Sequence, residues 1–296
     1  MKNVIIAGAN GFLGAALIKR LINEKVHMWA LSRRSTEGMC ANEHITWIEE
    51  NALGESFDGF PRNINFDSFY NFAWQGVNGA DKGNYVVQSN NILLTLHYAE
   101  LAHRLGCKKY LCAGTIAERA VESLDVLKKV PVGLMYSAAK ACSHIMLETY
   151  CKNVGLDFVW MQIPNIYGPQ NKTGNLISYT IEQLKKGEPA TFGPAQQPYD
   201  FLYVDDLVEA ICRLGRRPTE HHFYYLGSGT PRILEEYLRS IGDIYGRPDL
   251  IHIGEREDDR IRYRYDMLDA SLIFNAIGNY VSDTFENHIK YTIEHY

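Results

Sequence analysis

Along the chain, short apolar runs rich in β-branched and aromatic residues alternate with longer stretches whose apolar positions recur every three or four residues. The runs Val4–Ala7, His27–Leu31, Ile45–Ile48, Phe69–Ala73, Lys109–Ala113 and Phe158–Ile163 read as strands. Leu13–Ile22, Val86–Leu105 and about Ser137–Asn153 read as helices. In the second of these Ile92, Leu93, Leu96, Ala99 and Leu101 recur at helical spacing, and Gly106 and Gly155 stop the second and third. Strand and helix in alternation predict βαβ units, hence an α/β fold with a doubly wound parallel sheet. Past Ile163 the texture changes: Pro164, Gly168, Pro169, Gly174, Gly187, Pro189, Gly193, Pro194 and Pro198 fall close together. The expected division is therefore a sheet domain over 1–164 and a smaller, looped α/β region over 165–296, with some of its segments returning to the sheet domain.

The chain has 296 residues, 46% hydrophobic and 22% charged, which excludes collagen-like, coiled-coil and disordered classes. Its 30 Lys and Arg against 35 Asp and Glu leave a formal charge of −5, without the basic footprint of a nucleic-acid binder. No run approaches the ~20 apolar residues that span a bilayer, and Val4–Ala7 breaks at Gly8 before it can serve as a signal segment, so a cytoplasmic protein with no membrane partner is expected. Cys40, Cys107, Cys112, Cys142, Cys151 and Cys212 form no CxxC pair and read as reduced, with no metal site. The charged run Glu255–Arg264 reads as a solvated face.

Chemistry enters where the first strand meets the first helix. Gly8-Ala9-Asn10-Gly11-Phe12-Leu13-Gly14 puts glycines where a tight turn, close approach to a pyrophosphate and helix-on-strand packing each require them, and the helix N-terminus adds N–H donors. This predicts a Rossmann-type dinucleotide site. The second strand should end in an acid if it accepts the ribose hydroxyl of NAD; it ends Leu31-Ser32-Arg33-Arg34. Two guanidinium groups and no carboxylate suit a 2′-phosphate, so NADP (as NADPH) is preferred and NAD is the alternative. Farther on, Tyr136-Ser137-Ala138-Ala139-Lys140 sets a phenol and an ammonium four residues apart on one helix face. A phenol titrating near 10 transfers protons at neutral pH only when a cation stabilises its anion.

With the Gly-rich turn, Thr115 at the end of an intervening strand, Tyr136 and Lys140, Asn165-Ile166-Tyr167-Gly168-Pro169 (NxYGP) and Asp200-Phe201-Leu202-Tyr203-Val204-Asp205, the chain resembles the extended short-chain dehydrogenase/reductase family. That family comprises nucleotide-sugar epimerases, dehydratases and ketoreductases, and the resemblance covers nearly the whole chain. It implies that Tyr136 is the acid/base, that Lys140 holds the nicotinamide ribose, and that Thr115 bonds the reacting sugar oxygen. It further implies cofactor contacts from Gly8, Asn10, Gly11, Phe12, Leu13, Gly14, Ser32, Arg33, Arg34, Asn51, Phe72, Ala73, Trp74, Asn90 and Pro164. For Phe72, Ala73 and Trp74 plain core packing stays open, and Asn91 competes with Asn90. Asn165, Asn175, Tyr199 and Arg256 are implied to bind the substrate diphosphate. Two positions depart from the pattern: Tyr199 stands where the family has arginine before Asp-Phe, and Gln162 replaces the arginine before NxYGP. By the same resemblance a homodimer through the second and third helices is expected.

Thr115-Ile116-Ala117-Glu118 carries an apolar pair where family dehydratases carry their acid, and Ala117 where epimerase-reductases carry cysteine. The expectation is an NADPH-dependent reductase of a nucleotide-diphospho-4-keto-6-deoxy sugar. An NAD-dependent 4-epimerase and a silent NADP-binding sensor are the other readings. Trp74, Asn78, Asp81 and Lys82, in or beside the loop Gln75–Tyr85, are candidates to line the sugar pocket.

Overall fold

In this computed structural model residues 1–33, 41–49, 59–61, 63–127, 130–171, 174–258 and 261–296 are described. Arg34, Cys40 and Asn51 lie outside them. The chain divides into two units: Met1–Glu118 with Val132–Gln162 and Val208–Tyr224, and Arg119–Pro131 with Ile163–Leu207 and Tyr225–Tyr296.

The first unit is built on β1 (Asn3–Ala7), α1 (Phe12–Ile22), β2 (His27–Ser32), β3 (Ile45–Glu49), β4 (Ser68–Asn71), α2 (Tyr85–Arg104), β5 (Lys109–Ala113), α3 (Leu134–Val154) and β6 (Asp157–Gln162). The sheet order is β3-β2-β1-β4-β5-β6, continued at the β6 edge by the strand Phe223–Tyr225. The strand pairs from β3 through β6 are parallel, with Ile5 opposite both Trp29 and Phe69 and Cys112 opposite both Asn71 and Trp160. Strands buried on both faces need continuous apolar runs, and Val4 to Ala7 and Phe158 to Met161 supply them. Phe69, Tyr98, Tyr110, Leu147 and Trp160 fill the core.

Two details differ from the sequence expectation. β4 stops at Asn71 rather than Ala73, because the Asn71 side chain accepts the Ala73 N–H at 3.0 Å and turns the chain away from the ladder. On α2 the inward face carries Gln88, Asn91 and Thr95 beside Leu94, Tyr98 and Ala99, while Leu93 is exposed.

In the second unit three short strand pairs, Asn165–Tyr167 with Phe201–Tyr203, Pro198–Tyr199 with Arg232–Ile233, and Ala190–Phe192 with Ile251–Ile253, accompany the helices Leu176–Lys186, Leu234–Tyr245, Ser271–Ile277 and Phe285–Glu294. An aromatic cluster of Tyr167, Phe201, Tyr237 and Phe285 packs at its centre, mostly edge to face, with the Tyr167–Phe285 pair tilted. Among the described residues no helix is long and apolar enough to cross a membrane.

Candidate functional site

In the first unit the Gly-rich turn leaves β1 and enters α1. Gly8 has φ of +76°, and a Cβ there would lie 2.7 Å from the Ala73 nitrogen; a Cβ on Gly14 would overlap the Gly8 carbonyl. Only glycine lets the three backbones meet. The N-cap of α1 is Gly11, with no side-chain hydrogen bond, so its first-turn N–H groups face outward unclaimed by any cap residue. Gly8, Asn10, Gly11, Leu31, Ser32, Arg33, Phe72, Ala73 and Trp74 line one cavity of about 240 Å³. The donor set, the glycine cradle and the uncapped helix fit a dinucleotide. Asn10 donates to the Ser32 hydroxyl at 2.7 Å, and Arg33 reaches Gln75 at 3.3 Å. Phe12, Leu13 and Gly14 form the first turn of α1. Asn90 is exposed on α2, whereas its neighbour Asn91 is buried and both accepts the Gln75 N–H and donates to its carbonyl.

At the other end of that cavity the Trp74 indole donates to Gln88 at 2.9 Å and meets the Tyr136 ring edge-on at 6.0 Å. The Lys140 ammonium stands 3.8 Å over the same indole and donates to the Ala113 carbonyl at 2.6 Å. Burial brings the Lys140 pKa down to about 8, against the opposing pull of Cys112 and Glu118.

Thr115 and Glu118 close a reciprocal cap at the start of the 3-10 helix Ile116–Val126. The Thr115 hydroxyl accepts the Ala117 N–H at 3.2 Å and the Glu118 carboxylate accepts the Thr115 N–H at 2.6 Å. Its other oxygen takes the Trp160 indole N–H at 3.1 Å, and burial raises the pKa of this carboxyl above its usual range. The Thr115 hydroxyl proton has no acceptor among the described residues. Glu118 and Gln88 were not singled out from the sequence, whereas Asn91 entered only as the competitor of Asn90; the spacing Thr-x-x-Glu is the signal that marks the first of them.

The second unit carries its own cavity of about 280 Å³, lined by Leu176, Phe192, Tyr199, Arg256, Glu257 and Tyr263 among others. Arg256 is pinned at its wall, donating to Thr191 at 2.8 Å and to the Tyr179 hydroxyl at 2.6 Å. The Tyr199 hydroxyl, at the family's arginine position, donates to Asn165 at 3.0 Å. Asn175 is the N-cap of Leu176–Lys186: it accepts the Ser178 N–H and donates to the Ile166 carbonyl, so both ends of its amide are engaged within the fold. Pro164 is buried just before Asn165.

Comparison with known proteins places this geometry. CDP-abequose synthase of Salmonella muenchen is 23% identical over 236 residues, 79% of this chain and 77% of that one. The UDP-glucose 4-epimerase of Thermotoga maritima, solved with UDP-glucose, superposes with a TM-score of 0.78 at 19% identity, covering 99% of this chain and 98% of that one. The UDP-glucuronic acid 4-epimerase of Bacillus cereus, solved with NAD, gives 0.77 at 18%, covering 99% and 96%. The family model described as NAD dependent epimerase/dehydratase matches residues 4–227. With that match over most of its length, on a doubly wound sheet bearing the Gly-rich turn, Tyr136 and Lys140, the chain belongs to the NAD dependent epimerase/dehydratase family, among the extended short-chain dehydrogenases/reductases that its motifs resemble.

Proposed function

We propose that this protein is an NADPH-dependent reductase of a nucleotide-diphospho-4-keto-6-deoxy sugar. The observation that carries this reading is the state of Thr115. Its oxygen is engaged by the Ala117 N–H, which aims the hydroxyl while leaving its proton for an incoming oxygen. Thr115 then donates to the sugar C4 oxygen, and Tyr136 gives its proton to the alkoxide that develops there. Lys140 supplies the positive charge that lets the phenol part with that proton. The nicotinamide, when bound, supplies the hydride. Gly8, Asn10, Gly11 and the first turn of α1 hold its pyrophosphate, and Arg33, on the cavity wall, takes the 2′-phosphate. Arg256, Asn165 and Tyr199 bind the substrate's nucleotide-diphosphate half, with the phenol of Tyr199 accepting the place of the family's arginine.

A 4-epimerase built on the same three groups is the second reading. It is favoured by the solved relatives, whose names include a UDP-glucose 4-epimerase and an NAD complex. The exposed residues Val86 and Leu93 on α2 and Ile145 and Met146 on α3, two helices packed against each other, support pairing with a second copy of the chain.

The test is nicotinamide absorbance with NADPH and NADH in parallel against a panel of nucleotide-linked 4-keto-6-deoxy sugars. Stoichiometric loss of NADPH with one sugar is expected, and Tyr136→Phe should lower turnover by about 10² or more while NADPH still binds. Interconversion of C4 epimers without cofactor loss would establish the epimerase instead. Undiminished turnover in Tyr136→Phe would remove both.

A further inference from the structure

The turn after β4 brings a second lysine to the catalytic helix. Ala80–Gly83 forms a short 3-10 helix, and Lys82 on it places its ammonium 5.4 Å from the centroid of the Tyr136 ring. The position is built. The Gln88 amide donates to the carbonyls of Gly76 at 3.0 Å and Asp81 at 2.9 Å while its oxygen holds the Trp74 indole, so one buried side chain on α2 fixes both ends of the turn. The Lys82 stem runs past Gly133, at the entry to α3: its Cδ and Cε would lie 3.3 Å from a Cβ placed there. Among the described residues the ammonium has no carboxylate or hydrogen-bond partner, although it is withdrawn from much of the solvent; burial alone lowers its pKa. A cation held unpaired beside an aromatic ring costs desolvation that nothing else in the turn offsets.

We infer that Lys82 is a positioning residue for Tyr136, its ammonium over the ring favouring the phenolate and so adding to what Lys140 does from the same helix. The inference rests on Tyr136 being the acid/base of the proposed reaction. The division of labour follows from where each cation sits. The Lys140 ammonium is committed to the Ala113 carbonyl and the Trp74 face, with Glu118 as its counter-charge. Among the described residues Lys82 has no such commitments. Negative charge on a phenolate spreads into the ring, and a cation within about 6 Å of the centroid acts on it directly. Among the described residues, the other titratable groups around this end of α3 include Asp81 on the same turn, the exposed phenol of Tyr85 at the start of α2, and Cys112 and Glu118, both of which act on Lys140.

The test reads the phenol itself. Tyrosinate absorbance is titrated in the intact protein and in Tyr136→Phe, and the difference isolates one group among the 19 tyrosines. The same difference is taken in the Lys82→Met and Lys82→Arg backgrounds; methionine keeps the stem that packs on Gly133. The expected result is a Tyr136 midpoint raised by ~0.5 pH unit or more in Lys82→Met and restored in Lys82→Arg, with the alkaline limb of turnover moving by the same amount. An unmoved midpoint in folded Lys82→Met overturns the inference, and so does a raised KM with an unmoved pH profile, which would make Lys82 a substrate anchor. If methionine does not fold, Lys82→Gln carries the same comparison. Because the titration needs no substrate, it holds or fails independently of whether a keto sugar is reduced.

Discussion

The ammonium of Lys140 sits in a shell made of the Ala113 carbonyl and the Trp74 and Trp160 rings, 3.8 and 5.9 Å away, and that shell has a price in folding free energy. Unfolded, a lysine titrates near 10.5; here the value is about 8. Between those two pH values the unfolded chain still holds the proton that the folded chain has released, so stability rises with pH across the window, by about 3 kcal/mol in all. The stability difference between the native protein and Lys140→Met, from urea unfolding at stepped pH, should therefore shift in favour of the native protein between pH 8 and 10.5. A flat difference would mean that the lysine is not desolvated. Tyr136 and Lys140 were legible as candidates because their spacing states a chemistry, and Thr115 through the family resemblance; the cap that Glu118 makes on Thr115 was not read, although the Thr-x-x-Glu spacing carries its signal. The nearness of Lys82 to Tyr136 was not legible: the turn is closed by Gln88, a residue whose polarity on a helix gives no sign that it points inward.

Among the elements, the strands lie within about two residues of where the apolar runs put them, since burial on both faces leaves little freedom in where a parallel strand starts. α2 is the exception in its facing, not its length. Gln88, Asn91 and Thr95 are buried with partners at Gly76, Gln75, Asp81 and along the helix itself, and a polar side chain with its bonds satisfied is a tolerable core residue. Apolar periodicity cannot see such pairing, and it therefore marks Leu93 as inward when the residue is half exposed. The seat of α1 on β1 was legible, because Gly14 is the only kind of residue that fits over the Gly8 carbonyl. Gly14→Ala should cost roughly 1–3 kcal/mol in urea unfolding and weaken cofactor binding together with it. Wild-type stability in that variant would show that the helix can be moved without loss.

For the molecule as a whole, the doubly wound topology followed from strand and helix order, whereas the segments Arg119–Pro131 and Val208–Tyr224, which join the units against chain order, carry no compositional mark. Pairing of two copies through α2 and α3 makes its own prediction. Ile145, 67% exposed in the single chain, becomes core in a dimer. Ile145→Asp should then convert the sedimenting species from dimer to monomer with secondary structure intact by circular dichroism, and an unchanged sedimentation coefficient would place any interface elsewhere. The uncapped start of α1 has a reach beyond catalysis. A helix whose capping group is supplied by its ligand is completed by that ligand, and occupancy at a hundredfold over Kd adds about 2.7 kcal/mol to the folded state. The lifetime of this protein against proteolysis would then follow the cell's supply of nicotinamide dinucleotide, so that a shortage of the cofactor thins out the enzyme that binds it.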